Sequence, residues 1–179
     1  MKYFIDVVLL FFALPLFLFF YPIISLLILI FDGTPILYSQ LRVGLYGNEF
    51  KLYKFRTMSI LSDDSVHQNH YENLSENKKI EPSLTPDNPI RIENDDRITK
   101  VGNILRKTSL DELPNIINVL FGNMSFVGPR PLVKYESDLY GKYLEERNSV
   151  KPGITGLAQI QGRLDLSSVS YTHLTLPTT

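Results

Sequence analysis

VVLLFFALPLFLFFYPIISLLILIF, residues 7–31, carries no charged side chain, and its reading decides the fold. As an α-helix it reaches roughly 37 Å, against a bilayer hydrocarbon core of about 30 Å. A surface helix of a soluble domain keeps one polar face; this stretch has none. A cleaved signal sequence fits poorly. The apolar run is too long, Asp6 stands where basic residues are expected, and no small-x-small cleavage site follows. The stretch therefore reads as a membrane segment. Pro15 and Pro22 lie inside it, and an interior proline removes a helix hydrogen bond and clashes with the preceding turn, at about 3 kcal/mol. Two readings follow: a kinked helix that spans the bilayer, or a helix that breaks at Pro22 and returns to the side it entered. On the residues alone, spanning is the plainer of the two. Arg42, Lys51, Lys54 and Arg56 after the segment outnumber Lys2 before it, which places the polar body in the cytoplasm.

The chain of 179 residues is about one domain's worth. A formal net charge of −1 gives no global basic field for nucleic acid. The absence of cysteine excludes disulfides and thiolate metal sites. The near-zero mean hydropathy averages an apolar end with a polar remainder.

After the turn "DGTP", "PILYSQ" (35–40) and "EFKLYKF" (49–55) show apolar or aromatic residues near period two, separated by "LRVGLYGN". That pattern predicts a β-hairpin. Lys51, Lys54 and Arg56 crowd its second strand, as a solvated or lipid-facing surface or as a phosphate-binding patch. Residues 60–96 are polar, with few apolar anchors, and read as an exposed insertion. His67 and His70 with Asp63 and Asp64 form only a weak metal pattern there, because no ordered helix presents them. Ile98, Val101, Ile104 and Leu105 then recur at helical spacing. Asn115–Phe121 is an apolar helix able to rest a face on a bilayer surface, and "GN" ends it. "SFVGPRPL" holds Arg130 in a loop stiffened by Pro129 and Pro131. Residues 133–149 are charged and helical in pattern, and "VKPGITGLAQIQGR" is a glycine-punctuated loop or turn.

"SLDELPN", residues 109–115, sets Asp111 beside Glu112. Adjacent like charges repel, so something rewards the arrangement. One reading is capping. Ser109-x-x-Glu112 fits a capping box, or Asp111 is the N-cap with Pro114 in the first turn; the second is preferred, because the first would make Pro114 clash. At the positive end of the helix dipole both carboxylates stay ionised. The other reading is phosphoryl chemistry: one carboxylate attacks phosphorus, and its neighbour holds a divalent cation. Arg106, Lys107 and Arg130 supply phosphate donors. Both readings stand on spacing alone.

The order of "GTPILYSQLRVG", "FKLYKFRTM", "DDRITKVGNILRKTSLDELPNIINVLFGNMSFVGPRPL" and "VKPGITGLAQIQGR" resembles the bacterial sugar transferase family, the monotopic phosphoglycosyl transferases. The resemblance covers most of the chain to about Arg163, apart from the polar insertion. It implies transfer of a sugar-1-phosphate from a UDP-sugar to undecaprenyl phosphate with release of UMP, the first step of a lipid-linked glycan. It also implies Mg²⁺ and a covalent intermediate on Asp111. Glu112 would help bind the metal, Arg130 would grip phosphate, and Lys54, Arg56 and Arg106 match basic positions that line the family's site. The family's membrane helix is re-entrant and broken at a Ser-Pro pair. Pro22 matches that proline, with Tyr21 where serine is typical, so the resemblance favours the re-entrant reading.

The expected organisation is α+β and mostly helical. A membrane helix (1–31) precedes a small cytoplasmic catalytic domain (32–164) with a β-hairpin and the insertion 60–96. Residues 165–179, "LDLSSVSYTHLTLPTT" with Leu164, depart from the family and read as a truncated or non-native end. The implied location is the bacterial inner membrane, with downstream glycosyltransferases as possible neighbours. Two alternatives remain open: a non-catalytic membrane-anchored scaffold, and a polyprenyl pyrophosphate phosphatase.

Overall fold

The computed structural model describes residues 2–59, 97–137, 143–156 and 160. The expected insertion, with His67 and His70, and the expected atypical tail lie outside the described residues. Helix α1 runs from Lys2 to Phe31 with Pro15 and Pro22 inside it. The expected break at Pro22 does not interrupt it. A proline withdraws only its own N–H from the ladder, and the bonds on either side carry the helix on.

α1 is long and apolar enough to cross a membrane, yet one stripe of it packs on the polar body. Leu10 lies against Leu52, Val119 and Met124. Tyr21, Ile24 and Ile28 lie against Phe55 and Leu105. The three- and four-residue steps put these side chains on one helical face. The remaining faces turn Phe4, Phe11, Phe12, Phe19 and Ile30 outward, an apolar surface suited to lipid. Both ends are fastened. Near the start, an Asp6 carboxylate oxygen accepts from Ser125 Oγ at 2.8 Å and from the Phe126 N–H at 3.0 Å. At the end, Asp32 Oδ2 accepts from Thr99 Oγ1 at 2.9 Å.

Strands β1 (Leu37–Val43) and β2 (Glu49–Phe55) form the expected antiparallel hairpin, with Leu37 opposite Phe55 and Val43 opposite Glu49. Gly47 turns it at φ +81°, a conformation glycine adopts without a Cβ penalty. Helix α2 (Lys100–Thr108) follows. Its N-cap Thr99 accepts from the Gly102 N–H at 2.9 Å, so the same hydroxyl caps α2 and ties down the end of α1. Gly102 is required there: a Cβ would sit 2.1 Å from the Thr57 carbonyl oxygen.

A 3₁₀ segment, Leu110–Asn115, leads into helix α3 (Ile116–Leu120). Gly122 ends that helix at φ +78°. Ile116 and Val119 are buried, whereas Leu120 and Phe121 are exposed, so one face is left for a surface as the pattern predicted. Then come β3 (Ser125–Val127), α4 (Lys134–Ser137), α5 (Tyr143–Arg147) and β4 (Gly153–Thr155). β3 and β4 pair in parallel, where the sequence suggested only loops. Three-residue strands are too short to show a period-two pattern, and a parallel pair needs a long crossover, here the stretch holding α4 and α5. Burial of Ile28, Phe55 and Leu105 in one cluster and of Leu52, Val119 and Met124 in the other contributes about 1.5–3 kcal/mol per side chain. β2 joins the two: Leu52 faces one cluster and Phe55 the other.

Candidate active site

Asp111 and Glu112 occupy the first turn of the 3₁₀ segment. The preceding Ser109 has φ +57° and makes no side-chain cap bond. Neither capping arrangement expected from the sequence forms. α2 and the 3₁₀ segment meet at Ser109 in a left-handed turn, so Ser109 cannot offer the extended backbone of an ordinary N-cap. Glu112 instead reaches across to β2, where its Oε1 accepts from the Lys54 ammonium at 2.7 Å.

Asp111 is half-buried. Burial pushes its carboxyl above the usual carboxylate range, Lys54 and Arg106 pull it back, and Glu112 adds to the rise. The expected helix dipole does not set the direction at Asp111. Loss of water is the largest influence on this carboxyl. Arg106 is itself placed by a bond from its Nε to Thr57 Oγ1 at 2.9 Å.

β2 alternation puts Leu52 and Lys54 on one face. They line a pocket with Glu112 and Asn115 from the 3₁₀ segment, Met124, Arg130 and Pro131 from the β3 loop, Ile154 from β4, and Arg42 from β1. Lys54, Glu112 and Arg130 are thus brought together from three distant parts of the chain, with Asp111 and Arg106 beside them. Arg56 goes elsewhere. Its guanidinium is buried and donates to the Asp32 and Gly33 carbonyls at the end of α1. In this structure it holds the end of α1.

Sequence reasoning missed Asn115 and Arg42. Asn115 is buried, and its Oδ1 accepts from the Tyr53 N–H at 3.2 Å and from Asn118 Nδ2 at 3.3 Å. It pins β2 to the Asp111–Glu112 turn one residue before Lys54. The available signal was a pair of asparagines inside the otherwise apolar "PNIINVL".

Among the described residues no group of three or more His, Cys, Asp or Glu gathers as a metal cage. Mg²⁺ needs no such cage. It usually takes one or two carboxylates and keeps waters and substrate phosphates for its remaining positions. Asp111 and Glu112 fit that requirement.

This cluster of carboxylates and cations, on a body that clasps an apolar helix, can be set beside known proteins. A sequence profile of the bacterial sugar transferase family matches residues 1–176, and the chain belongs to that family. It is 43% identical over 135 residues to the undecaprenyl-phosphate galactose phosphotransferase of Salmonella typhimurium, covering 75% of this chain and 27% of that protein. It is 42% identical over 142 residues to the UDP-glucose:undecaprenyl-phosphate glucose-1-phosphate transferase of Escherichia coli, covering 78% and 26%. The exopolysaccharide production protein ExoY of Rhizobium meliloti is 41% identical over 163 residues, covering 86% and 63%. The chain therefore spans less than two thirds of each of these relatives.

Proposed function

We propose that this chain transfers a sugar-1-phosphate from a UDP-sugar to undecaprenyl phosphate at the cytoplasmic face of the bacterial inner membrane. The observation that carries the reading is the placement of Asp111 beside Lys54 and Arg106, at a pocket that also holds Glu112 and Arg130. An Asp111 oxygen attacks the phosphorus bearing the sugar. The bond from that phosphorus to the bridging oxygen breaks, and UMP leaves with the electron pair. The phosphate oxygen of the lipid then attacks the same phosphorus and frees the carboxylate, giving undecaprenyl diphosphate sugar. No net proton is needed. The cations beside Asp111 keep enough of it ionised to attack despite burial. Lys54, Arg106 and Arg130 spread the charge of the transferring phosphoryl group. Glu112 would help hold Mg²⁺, which when bound neutralises phosphate charge.

The membrane helix suits the same reading. Its two ends, at Asp6 and Asp32, bond to one polar body. A helix crossing the bilayer would carry Asp6 to the far side, because the polar body cannot follow it through hydrocarbon. This supports both ends of α1 lying on the side of the polar body, as a re-entrant segment requires, while the helix itself runs on through Pro22; the pocket is then held where a soluble donor and a lipid phosphate meet.

The test is UMP release by the detergent-solubilised chain with Mg²⁺, undecaprenyl phosphate and a panel of UDP-sugars. The names of the relatives make UDP-galactose and UDP-glucose the first donors to try. UMP formation that depends on Asp111, judged by Asp111→Asn, supports the proposal. Inorganic phosphate released from undecaprenyl diphosphate, with no response to any UDP-sugar, overturns it in favour of a phosphatase.

A further inference from the structure

Arg147 lies at the end of α5 in a run, "YLEERNSV", that reads as a solvated helix. The structure buries it to 2% exposure. A guanidinium removed from water is costly unless strong acceptors meet it. One acceptor is the backbone carbonyl of Arg130, 2.5 Å from Arg147 Nη2. That bond belongs to a series. The Gly153 N–H donates to the Pro129 carbonyl at 2.9 Å. Arg42 Nη1 donates to the Pro131 carbonyl at 3.1 Å. The Val43 N–H donates to the Leu132 carbonyl at 2.8 Å. Four consecutive carbonyls, 129 to 132, are each taken by a different donor. Pro129 and Pro131 have no N–H of their own and fixed φ, so this stretch cannot be held by an ordinary ladder from its own donors. It is held through its acceptors.

We infer that Arg147 is a positioning residue, which fixes the backbone of Arg130 so that its guanidinium is presented to the pocket before any ligand arrives. This rests on the reading of Arg130 as a phosphate-gripping group. A preset guanidinium loses little freedom on binding, and small misplacement of such a group is costly to catalysis. Lysine cannot replace Arg147: its compact ammonium on a flexible stem lacks the rigid fork.

The experiment compares Arg147→Lys, Arg130→Lys and the double variant by two readouts. One is UMP release from whichever UDP-sugar the unaltered chain uses. The other is amide exchange in residues 124–133 against α2. We expect Arg147→Lys to raise the donor KM by about tenfold to a hundredfold. The double variant should match Arg130→Lys within about twofold, because residues that act through one another are not additive. Exchange should rise in 124–133 and not in α2. Multiplying losses in the double variant, an unchanged KM in Arg147→Lys, or exchange that rises equally in α2 overturns the inference. If the unaltered chain releases no UMP from any donor, the transferase proposal fails. The positioning role is then decided by exchange alone: confined to 124–133 it stands, spread through α2 it falls.

Discussion

The Lys54 ammonium donates to Glu112 Oε1 at 2.7 Å across 58 positions of chain, and this pair joins the hairpin to the Asp111–Glu112 turn. Both side chains are partly exposed, so its direct contribution to stability is modest, about 1 kcal/mol or less. Its larger effect is electrostatic. Lys54 opposes the rise of the Asp111 carboxyl and Glu112 adds to it. Replacing either one should therefore move the acid limb of the pH–rate profile, in opposite directions. Lys54→Met shifts the limb to higher pH and Glu112→Gln shifts it to lower pH. Both lower the maximal rate, by about 10²-fold or more if each is a direct electrostatic partner of the phosphoryl group. Limbs that shift together, or not at all, would show that the pair is not coupled to Asp111.

Asp111 itself gives a stability prediction. Its folded-state carboxyl sits above the ordinary value of about 3.9, chiefly through burial. The sign follows from proton linkage. A raised folded value means that the folded state binds the proton more tightly than the unfolded chain. The stability it contributes is present below the unfolded value and is lost as pH rises through the folded one. Above the folded value, where Asp111 is ionised, it thus lowers stability. Asp111→Asn should melt higher than the unaltered chain at pH 7 without added divalent cation. The gap should close as pH falls through the window between the raised folded value and about 3.9. A gap that widens on acidification would contradict the burial of this carboxylate.

The parts legible in sequence were those with long-range pattern. α1 was visible as uninterrupted apolar sequence, and the hairpin through its alternation and glycines. The Asp111–Glu112 pair stood out as an electrostatic anomaly. Less legible were features made by single contacts between distant segments. β3 and β4 are too short to carry a period. Arg56 and Arg147 look like solvent-facing charges until the fold brings carbonyls to them. Both capping expectations, Asp111 as N-cap and the Ser109 capping box, failed because spacing records which residue types are present, and not that Ser109 takes a left-handed backbone and leaves Asp111 inside the first turn.

Asp6 tests the fastening of the membrane helix. Its carboxylate accepts from Ser125 Oγ and the Phe126 N–H, at the start of the strand that leads to Arg130. Asp6→Ala removes the oxygen that accepts both bonds and should cost about 1.5–3 kcal/mol, the range for hydrogen bonds to a charged group. Asp6→Asn keeps a carbonyl oxygen and should lose less than half of that. Thermal unfolding in one detergent compares them. Equal melting of all three chains would mean that the start of α1 is not held by this contact.

Asn115 offers the sharpest separation of stability from activity. Its Oδ1 is the acceptor for the Tyr53 N–H, and Lys54 is the next residue along β2. In Asn115→Leu the volume is nearly kept, but that buried N–H loses its partner, at about 1–3 kcal/mol. Asn115→Asp restores an acceptor at the same place while adding negative charge to a pocket proposed to take phosphates. Asn115→Leu should thus lose stability, and activity only as far as Lys54 drifts from Glu112. Asn115→Asp should recover much of the stability and lose more activity, through a higher donor KM, because like charge disfavours the pyrophosphate. Melting curves and donor titrations on the two variants read these losses separately. If stability and KM rank the variants in the same order, Asn115 serves the fold alone, and the pocket's charge balance is set by Lys54, Glu112 and Arg130 without it.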